Sequence, residues 1–351
     1  MTAARTLFPA RQPRATAPRS LFFGELLLRL SPPRHELLLQ TPQLHVWVGG
    51  AEANVATQLA CLGHDVGFAS RVPDNDLGRA GITALRGHGV DVRHIQSGGE
   101  RMGLYFATPG AGLRATDIVY DRAGSAFAEA PAGAWDWDAM LAGVDHLHLS
   151  GITPALGPVP AETAIAAARA AAARDITVSF DGNWRSKLWA RWQADPRTIL
   201  SEIVEHAAIL FGDHRDIALL LDREFAGSDA ASARAACDAA FAAFPKLEVI
   251  ASTSRRISST DTHHLAARIA TRSQWVQTPE MALTGIVDRI GGGDAFAAGV
   301  LDMLLSGGDA DAAAGSGLAL AALKHSLPGD ASLFRRADLD AFAGGPADVR
   351  R

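Results

Sequence analysis

The chain has 351 residues, 48% hydrophobic and 20% charged, which is ordinary globular usage with room for a substantial core. A formal net charge of −5 argues against a nucleic-acid or anionic-membrane binder, since either needs a basic face. The two cysteines, Cys61 and Cys237, lie far apart and outside any C-x-x-C pair, which suits a reducing, cytoplasmic setting and leaves no thiolate metal site.

In chain order, residues 1–20 hold Arg5, Arg11, Arg14 and Arg19 among Ala, Thr and Pro. They lack the apolar core of a secretory signal and read as a disordered extension. Residues 21–30, 44–48, 102–107 and 117–120 are strand-like, with few helices among them, and fit a small sheet attached to a larger core as a lid. Further on the pattern changes. An Ala-rich helix over 160–174 has Glu162 near its start and Arg174 at its end, as the helix dipole prefers. A β-rich run over 176–180 follows, then helix 199–208, strand 208–211, helix 230–244 and strand 247–251. Helix alternating with strand predicts parallel strands joined by helical crossovers, an α/β layered domain. Ligands of such sheets sit beyond the carboxyl ends of the strands, which singles out Asp181 and the pair Gly212-Asp213.

The run Asp288-Arg289-Ile290-Gly291-Gly292-Gly293-Asp294-Ala295-Phe296 opens a further helix, over 295–305, with apolar residues at helical spacing. Glycines at a helix N-terminus make an anion site: free N–H groups face outward and missing side chains allow close approach. Two familiar motifs fail here. A P-loop needs Lys and Ser/Thr after its last glycine, where Asp294-Ala295 stand; the dinucleotide fingerprint needs a small residue where Phe296 stands. An acid beside a phosphate cradle makes sense as a base that takes the proton of an attacking hydroxyl while the N–H groups hold the growing charge. The plainer alternative is a Gly-rich turn with Asp294 capping the helix.

This segment resembles the C-terminal signature of the ribokinase-like (PfkB-type) carbohydrate kinases, with Gly292 where Ala is usual. Gly49-Gly50-Ala51-Glu52-Ala53-Asn54-Val55-Ala56 resembles the family's N-terminal signature, and continues through Leu62-Gly63, Arg71-Val72, Asp76-x-Gly78 and Gly89-Val90-Asp91. Within the family the pattern is similar to the 2-keto-3-deoxygluconate kinases. The matching segments are Phe23-Gly24-Glu25-Leu26-Leu27-x-Arg29-Leu30, Gly103-Leu104-Tyr105-Phe106, Tyr120-Asp121-Arg122, Asp181-Gly182-Asn183-Trp184-Arg185 with Leu188-Trp189, and Lys324-His325 through Gly329-Asp330.

The resemblance implies a three-layer α/β/α core over residues 21–342, with a mostly parallel sheet and lid strands within about 21–48 and 101–122, and a tail over 343–351. It implies ATP and Mg²⁺ as cofactors, a sugar acid as substrate, and pairing of subunits through the lid. Asp294 would be the base and Gly291, Gly292 and Gly293 the anion hole. Gly50, Asn54, Tyr105, Tyr120, Arg122, Arg185 and Asp330 would hold the sugar acid, Arg185 by a forked pair with its carboxylate. Ser252, Ser254, Arg255, Asp288, Gly291 and Gly293 would meet the nucleotide. Two departures stand out. Asp213-His214-Arg215-Asp216 replaces the usual N-x-x-E, which keeps oxygen donors at Asp213 and Asp216 for indirect metal help. Ser252-Thr253-Ser254-Arg255-Arg256 replaces T-x-G-x-x-G, putting two arginines within reach of phosphates. Acceptors such as fructose or ribose, and a sugar sensor without catalysis, remain as alternatives. His146 and His148 share a strand face without a third ligand, and His263-His264 reads as a surface pair.

Overall fold

The run 21–30, which reads as one strand, is two strands in different sheets: β1 (Arg19–Phe23) in the large sheet and β2 (Leu27–Ser31) in the lid. The chain leaves the large sheet at Gly24-Glu25-Leu26, where Gly24 N donates to the Ala69 carbonyl and Leu26 N to Ser70 Oγ. The computed structural model describes residues 18–225 and 229–343; the rest of the extension, 1–17, and of the tail, 344–351, lie outside the described residues. Arg19 and Ser20, assigned above to the extension, instead open β1, with Arg19 N donating to Asp145 Oδ2 at 3.0 Å.

The other strands are β3 (His45–Gly49), β4 (Asp65–Val72), β5 (Asp91–Ser97), β6 (Gly103–Thr108), β7 (Asp117–Asp121), β8 (His146–Ser150), β9 (Thr177–Asp181), β10 (Ile209–Phe211), β11 (Val249–Ser259), β12 (Thr262–Thr271), β13 (Trp275–Gln277) and β14 (Met281–Thr284). The helices are α1 (Ala51–Cys61), α2 (Asp76–Gly87), α3 (Trp137–Met140), α4 (Ile152–Ala155), α5 (Pro158–Ala172), α6 (Ser186–Trp189), α7 (Pro196–Val204), α8 (His214–Leu221), α9 (Ala230–Ala243), α10 (Gly292–Leu305), α11 (Ala310–Lys324) and α12 (Arg336–Ala343).

Ten strands form the large sheet, in the order β13-β12-β11-β10-β9-β8-β1-β4-β5 with β14 also on β12. From β11 to β5 every neighbouring pair is parallel; β12, β13 and β14 add an antiparallel end. Period-two alternation divides the core between the two sheet faces. Phe22, Phe68, Phe211 and Ala251 pack under α1, α10 and α11. Leu21, Phe23, Leu149, Phe180 and Ile250 pack under α5, α7 and α9. These are the three expected layers.

The lid is a separate four-stranded sheet, β3-β2-β6-β7. Its inner face carries Leu27, Arg29, Tyr105 and Tyr120, which the register brings together: Arg29 lies opposite Tyr105 and Tyr105 opposite Tyr120. Its outer face carries Leu30, Val46, Phe106 and Val119.

β11 differs from expectation. The sequence predicts a strand over 247–251, yet pairing with β12 continues to Ser259. With its glycines replaced by Ser and Arg, the segment has no residue that favours a turn and stays extended.

Candidate active site

Helix α10 begins behind Gly291, whose φ of 79° belongs to the left-handed region. A Cβ there would collide with the Asp330 carbonyl, so both conformation and space require glycine. Gly292 faces the His325 ring, while open space lies in front of Gly293. Gly292 N donates back to the Arg289 carbonyl at 3.2 Å, which leaves Gly293, with the open space before it, as the glycine whose first-turn N–H can meet an anion, a correction to the expectation that Gly292 shares that task. In the first turn stands Asp294. Asn54, from α1, donates Nδ2 to Asp294 Oδ2 at 2.6 Å. Burial pushes the Asp294 carboxyl up to about 7; the Asn54 bond and the Arg185 charge oppose this, and the charges of Asp330 and Glu52 add to it. A carboxyl poised near neutrality beside free N–H groups is equipped to accept a proton.

Two more carboxylates face it. Asp181 closes β9, and burial together with the charges of Asp294 and Asp216 pushes it up to about 8. Burial raises Asp216 to about 6. Asp216 also accepts Asp213 N at 2.8 Å in a capping box on α8, so part of its oxygen capacity serves the helix. Asp213 is more fully committed: it caps α8 and pairs with Arg215 at 2.6 Å. Arg185 is exposed, donates to the neighbouring Trp184 carbonyl, and forms no ion pair among the described residues, with Asp181 or any other acid. Its charge nevertheless favours the ionised forms of Asp181, Asp216 and Asp294.

The expected sugar contacts divide into two groups. Asn54 and Asp330 line a cavity of about 200 Å³ with Trp47, Gly49, His88 and Leu333. Gly50, the N-cap of α1, adjoins it and accepts Asn54 N at 2.8 Å. Tyr105, Tyr120, Arg122 and Arg185 do not line this cavity. Tyr105 donates to Asp330 Oδ2 at 2.6 Å, and Asp330 Oδ1 accepts from Arg29 at 3.1 Å, so Tyr105 is engaged with Asp330 behind the cavity wall and Asp330 meets the cavity with both oxygens already bonded. Burial raises the Tyr105 pKa and keeps its proton on this bond. Arg122 is likewise engaged: its Nε donates to Glu25 Oε2 at 2.5 Å, and Ser125 donates to the other Glu25 oxygen. Tyr120 is half-buried beside Tyr105, with ring centroids 6.4 Å apart. Of the expected cations, Arg185 is the one left uncommitted.

The expected nucleotide residues divide as well. Strand alternation puts Ser252 and Ser254 on the face away from α10, while Arg255 lies on the α10 face with Leu265 opposite. The two serines and Arg255 therefore stand on opposite faces of β11. Arg256 pairs with Glu280 at 3.0 Å, which leaves Arg255 as the arginine available to phosphate. Desolvation and the neighbouring charges of Arg289 and Arg215 lower its pKa, the mark of a concentrated positive field. Asp288 is engaged within the protein: its oxygens accept from Arg29 at 2.6 Å, Ile290 N at 3.0 Å and Gly329 N at 3.1 Å.

His146 and His148 both bond Ser179 at 2.7 Å inside the sheet and are structural. His263 is no surface residue: it is buried, with its ring 6.1 Å from that of His325. Among the described residues no group of three His, Cys, Asp or Glu side chains is arranged to hold a metal ion, and no helix is long and apolar enough to cross a membrane. Arg29, Glu25 and Lys324 stand in the segments that carry the resemblance, but the sequence assigns none of them a role. A charged residue inside the apolar run Leu26-Leu27-Leu28-Arg29-Leu30 was the available signal.

Comparison with known proteins places this arrangement. The profile of the pfkB family carbohydrate kinases matches residues 18–335. The chain belongs to that family. A 2-dehydro-3-deoxygalactonokinase from Haloferax volcanii is 31% identical over 94% of this chain and 98% of its own length. The crystal structure of a 2-dehydro-3-deoxygluconokinase from Thermotoga maritima superimposes with a TM-score of 0.88 at 33% identity, covering 93% of this chain and all of that one (100%). A fructokinase from Klebsiella pneumoniae is 31% identical over 85% of this chain and 89% of its own. The protein is thus an ATP-dependent carbohydrate kinase with a ribokinase-like α/β core and a lid sheet.

Proposed function

We propose that this kinase transfers the γ-phosphoryl group of ATP to the 6-hydroxyl of 2-keto-3-deoxygluconate. The observation that carries the reading is that Asp294, at the mouth of a helix and bonded by Asn54, lies in the field of Arg185, a guanidinium with no ion-pair partner among the described residues. A kinase for neutral sugars has no use for that guanidinium. A sugar acid offers it a carboxylate. In this reading Asp294 accepts the hydroxyl proton, and the N–H groups at Gly291 and Gly293 hold charge on the transferred group. Asn54 and Gly50 border the acceptor, Tyr120 packs against it, and Arg255 meets the donor phosphates.

Mg²⁺ fits the donor set. It favours one or two carboxylates plus phosphate oxygens, and Asp181 and Asp216 are half-buried oxygen donors with pKa values raised above the usual carboxylate range. These two residues would hold it, directly or through water, and bound Mg²⁺ would screen charge on the donor phosphates. We place the enzyme in the cytoplasm, in keeping with its two free cysteines. Subunits would pair through the outer lid face, where Val46 and Val119 are 57% and 50% exposed.

The second reading keeps the chemistry and takes the galacto epimer as acceptor, as the name of the Haloferax relative suggests. Coupled ADP release with 2-keto-3-deoxygluconate, its galacto epimer, fructose and ribose tests both. Turnover of the neutral sugars but neither acid would refute the assignment of Arg185.

A further inference from the structure

The functional reading gives Arg29 no task, yet its side chain is only 3% exposed and ends between two carboxylates. Burying a guanidinium is costly unless its hydrogen bonds and charge are used. Both partners belong to segments that frame the glycine turn. Asp288, three residues before Gly291, ties the turn to the return loop by accepting from Ile290 N at 3.0 Å and from Gly329 N at 3.1 Å. Asp330 presses its carbonyl against Gly291. Beneath them lies the fully buried Lys324, whose Nζ donates to the Leu327 carbonyl at 2.8 Å. Arg29 NH1 bridges Asp288 at 2.6 Å and Asp330 at 3.1 Å.

The tip of Arg29 is aimed by the lid rather than by these loops. Its Nε donates to Ser31 Oγ at 2.8 Å, and its guanidinium carbon lies 5.1 Å from the centre of the Trp47 ring. A second lid residue, Tyr105, reaches Asp330 from β6. No other lid cation contacts either carboxylate among the described residues. We propose that Arg29 is a positioning residue: from the lid it fixes the frame of Asp288 and Asp330, and so sets where the N–H groups of the glycine turn meet the transferred phosphoryl group. The proposal rests on the phosphoryl-transfer reading above. Loss of the bridge lets the turn shift, and a misplacement of about 1 Å costs on the order of 100-fold in rate.

The test uses the full chain carrying Arg29→Met, Arg29→Lys, Asp288→Asn, the double variant R29M/D288N and, separately, Asp294→Asn. Circular dichroism establishes folding, and ADP release gives kcat and KM. For folded Arg29→Met we expect kcat to fall about 10- to 100-fold while both KM values move less than about threefold. Arg29→Lys should recover much of the loss, and the double variant should be no slower than Asp288→Asn alone. Three results would each overturn the proposal: kcat of folded Arg29→Met within about twofold of the unsubstituted enzyme, multiplied losses in the double variant, or a loss confined to the acceptor KM. If Arg29→Met does not fold, the double variant carries the test, since it removes both charges of the pair. A kcat matching Asp288→Asn then supports the tether, and an undiminished kcat overturns it. An active Asp294→Asn would refute the base assignment. An inactive Asp294→Asn beside a fully active Arg29→Met would refute the tether alone.

Discussion

Replacing Asn54 with Ala removes the hydrogen bond that Asp294 Oδ2 accepts at 2.6 Å. That bond favours the ionised carboxylate, and a bond to a charged group is worth roughly 1.5–3 kcal/mol. At about 1.4 kcal/mol per pKa unit, its loss moves the carboxyl up by about one to two units. Starting from about 7, the new value lies near 8 to 9, and the ionised fraction at pH 7 drops from about one half to between about 1% and 9%. A base is useful only when deprotonated, so activity is lost as pH falls through the folded-state value, and the variant loses it earlier. The expected result is a fall in kcat/KM of about 5- to 50-fold at pH 7 that closes by about pH 9.5. Any contact of Asn54 with the acceptor appears separately, as a difference in the alkaline plateau. The assay is coupled ADP release across the pH range. An acidic limb at the same pH in both proteins would refute the idea that Asn54 tunes Asp294.

Arg185→Met should raise KM for the sugar acid by about 10- to 100-fold, the worth of a charge-assisted pair, while a neutral analogue lacking the carboxylate shows no change. Steady-state kinetics with both acceptors checks this. Arg255→Ala should raise KM for ATP several-fold and flatten its dependence on ionic strength, whereas Ser252→Ala, on the opposite face of β11, should leave KM for ATP within about twofold. Asp302→Ala addresses stability. Asp302 is fully buried and holds His64 and Arg336 at 2.7 Å each, so its removal should cost about 3 kcal/mol in denaturant unfolding with kcat unchanged.

The alternation of helix and strand after residue 160 was legible because each element has one strong local cause. Alanine and leucine at helical spacing made α5, α9 and α10, and short β-branched runs made β9 and β10. The glycine turn with Asp294 was legible for the same reason, since glycines before an apolar helix have few other uses. What escaped depended on partners distant in sequence. The meeting of Arg29 with Asp288 spans 259 residues, and no local pattern announces it. Tyr105 and Asp330 were picked as separate ligands of a sugar, yet they bond each other across 225 residues. The extension of β11 through Ser252 and Ser254 to Ser259 is set by pairing with β12, which no local pattern announces.

The break at Gly24-Glu25-Leu26 has a consequence for engineering. Because β1 and β2 are separated by only these three residues, the lid cannot be exchanged as a module through a long, forgiving linker. A graft that adds or deletes a single residue there would put β2 one step out of phase. Arg29 would then point to the outer surface, and Leu28 or Leu30 would take its place above Asp288 and Asp330. Acceptor specificity in this scaffold is therefore better altered by point substitution on the inner lid face than by transplanting strands.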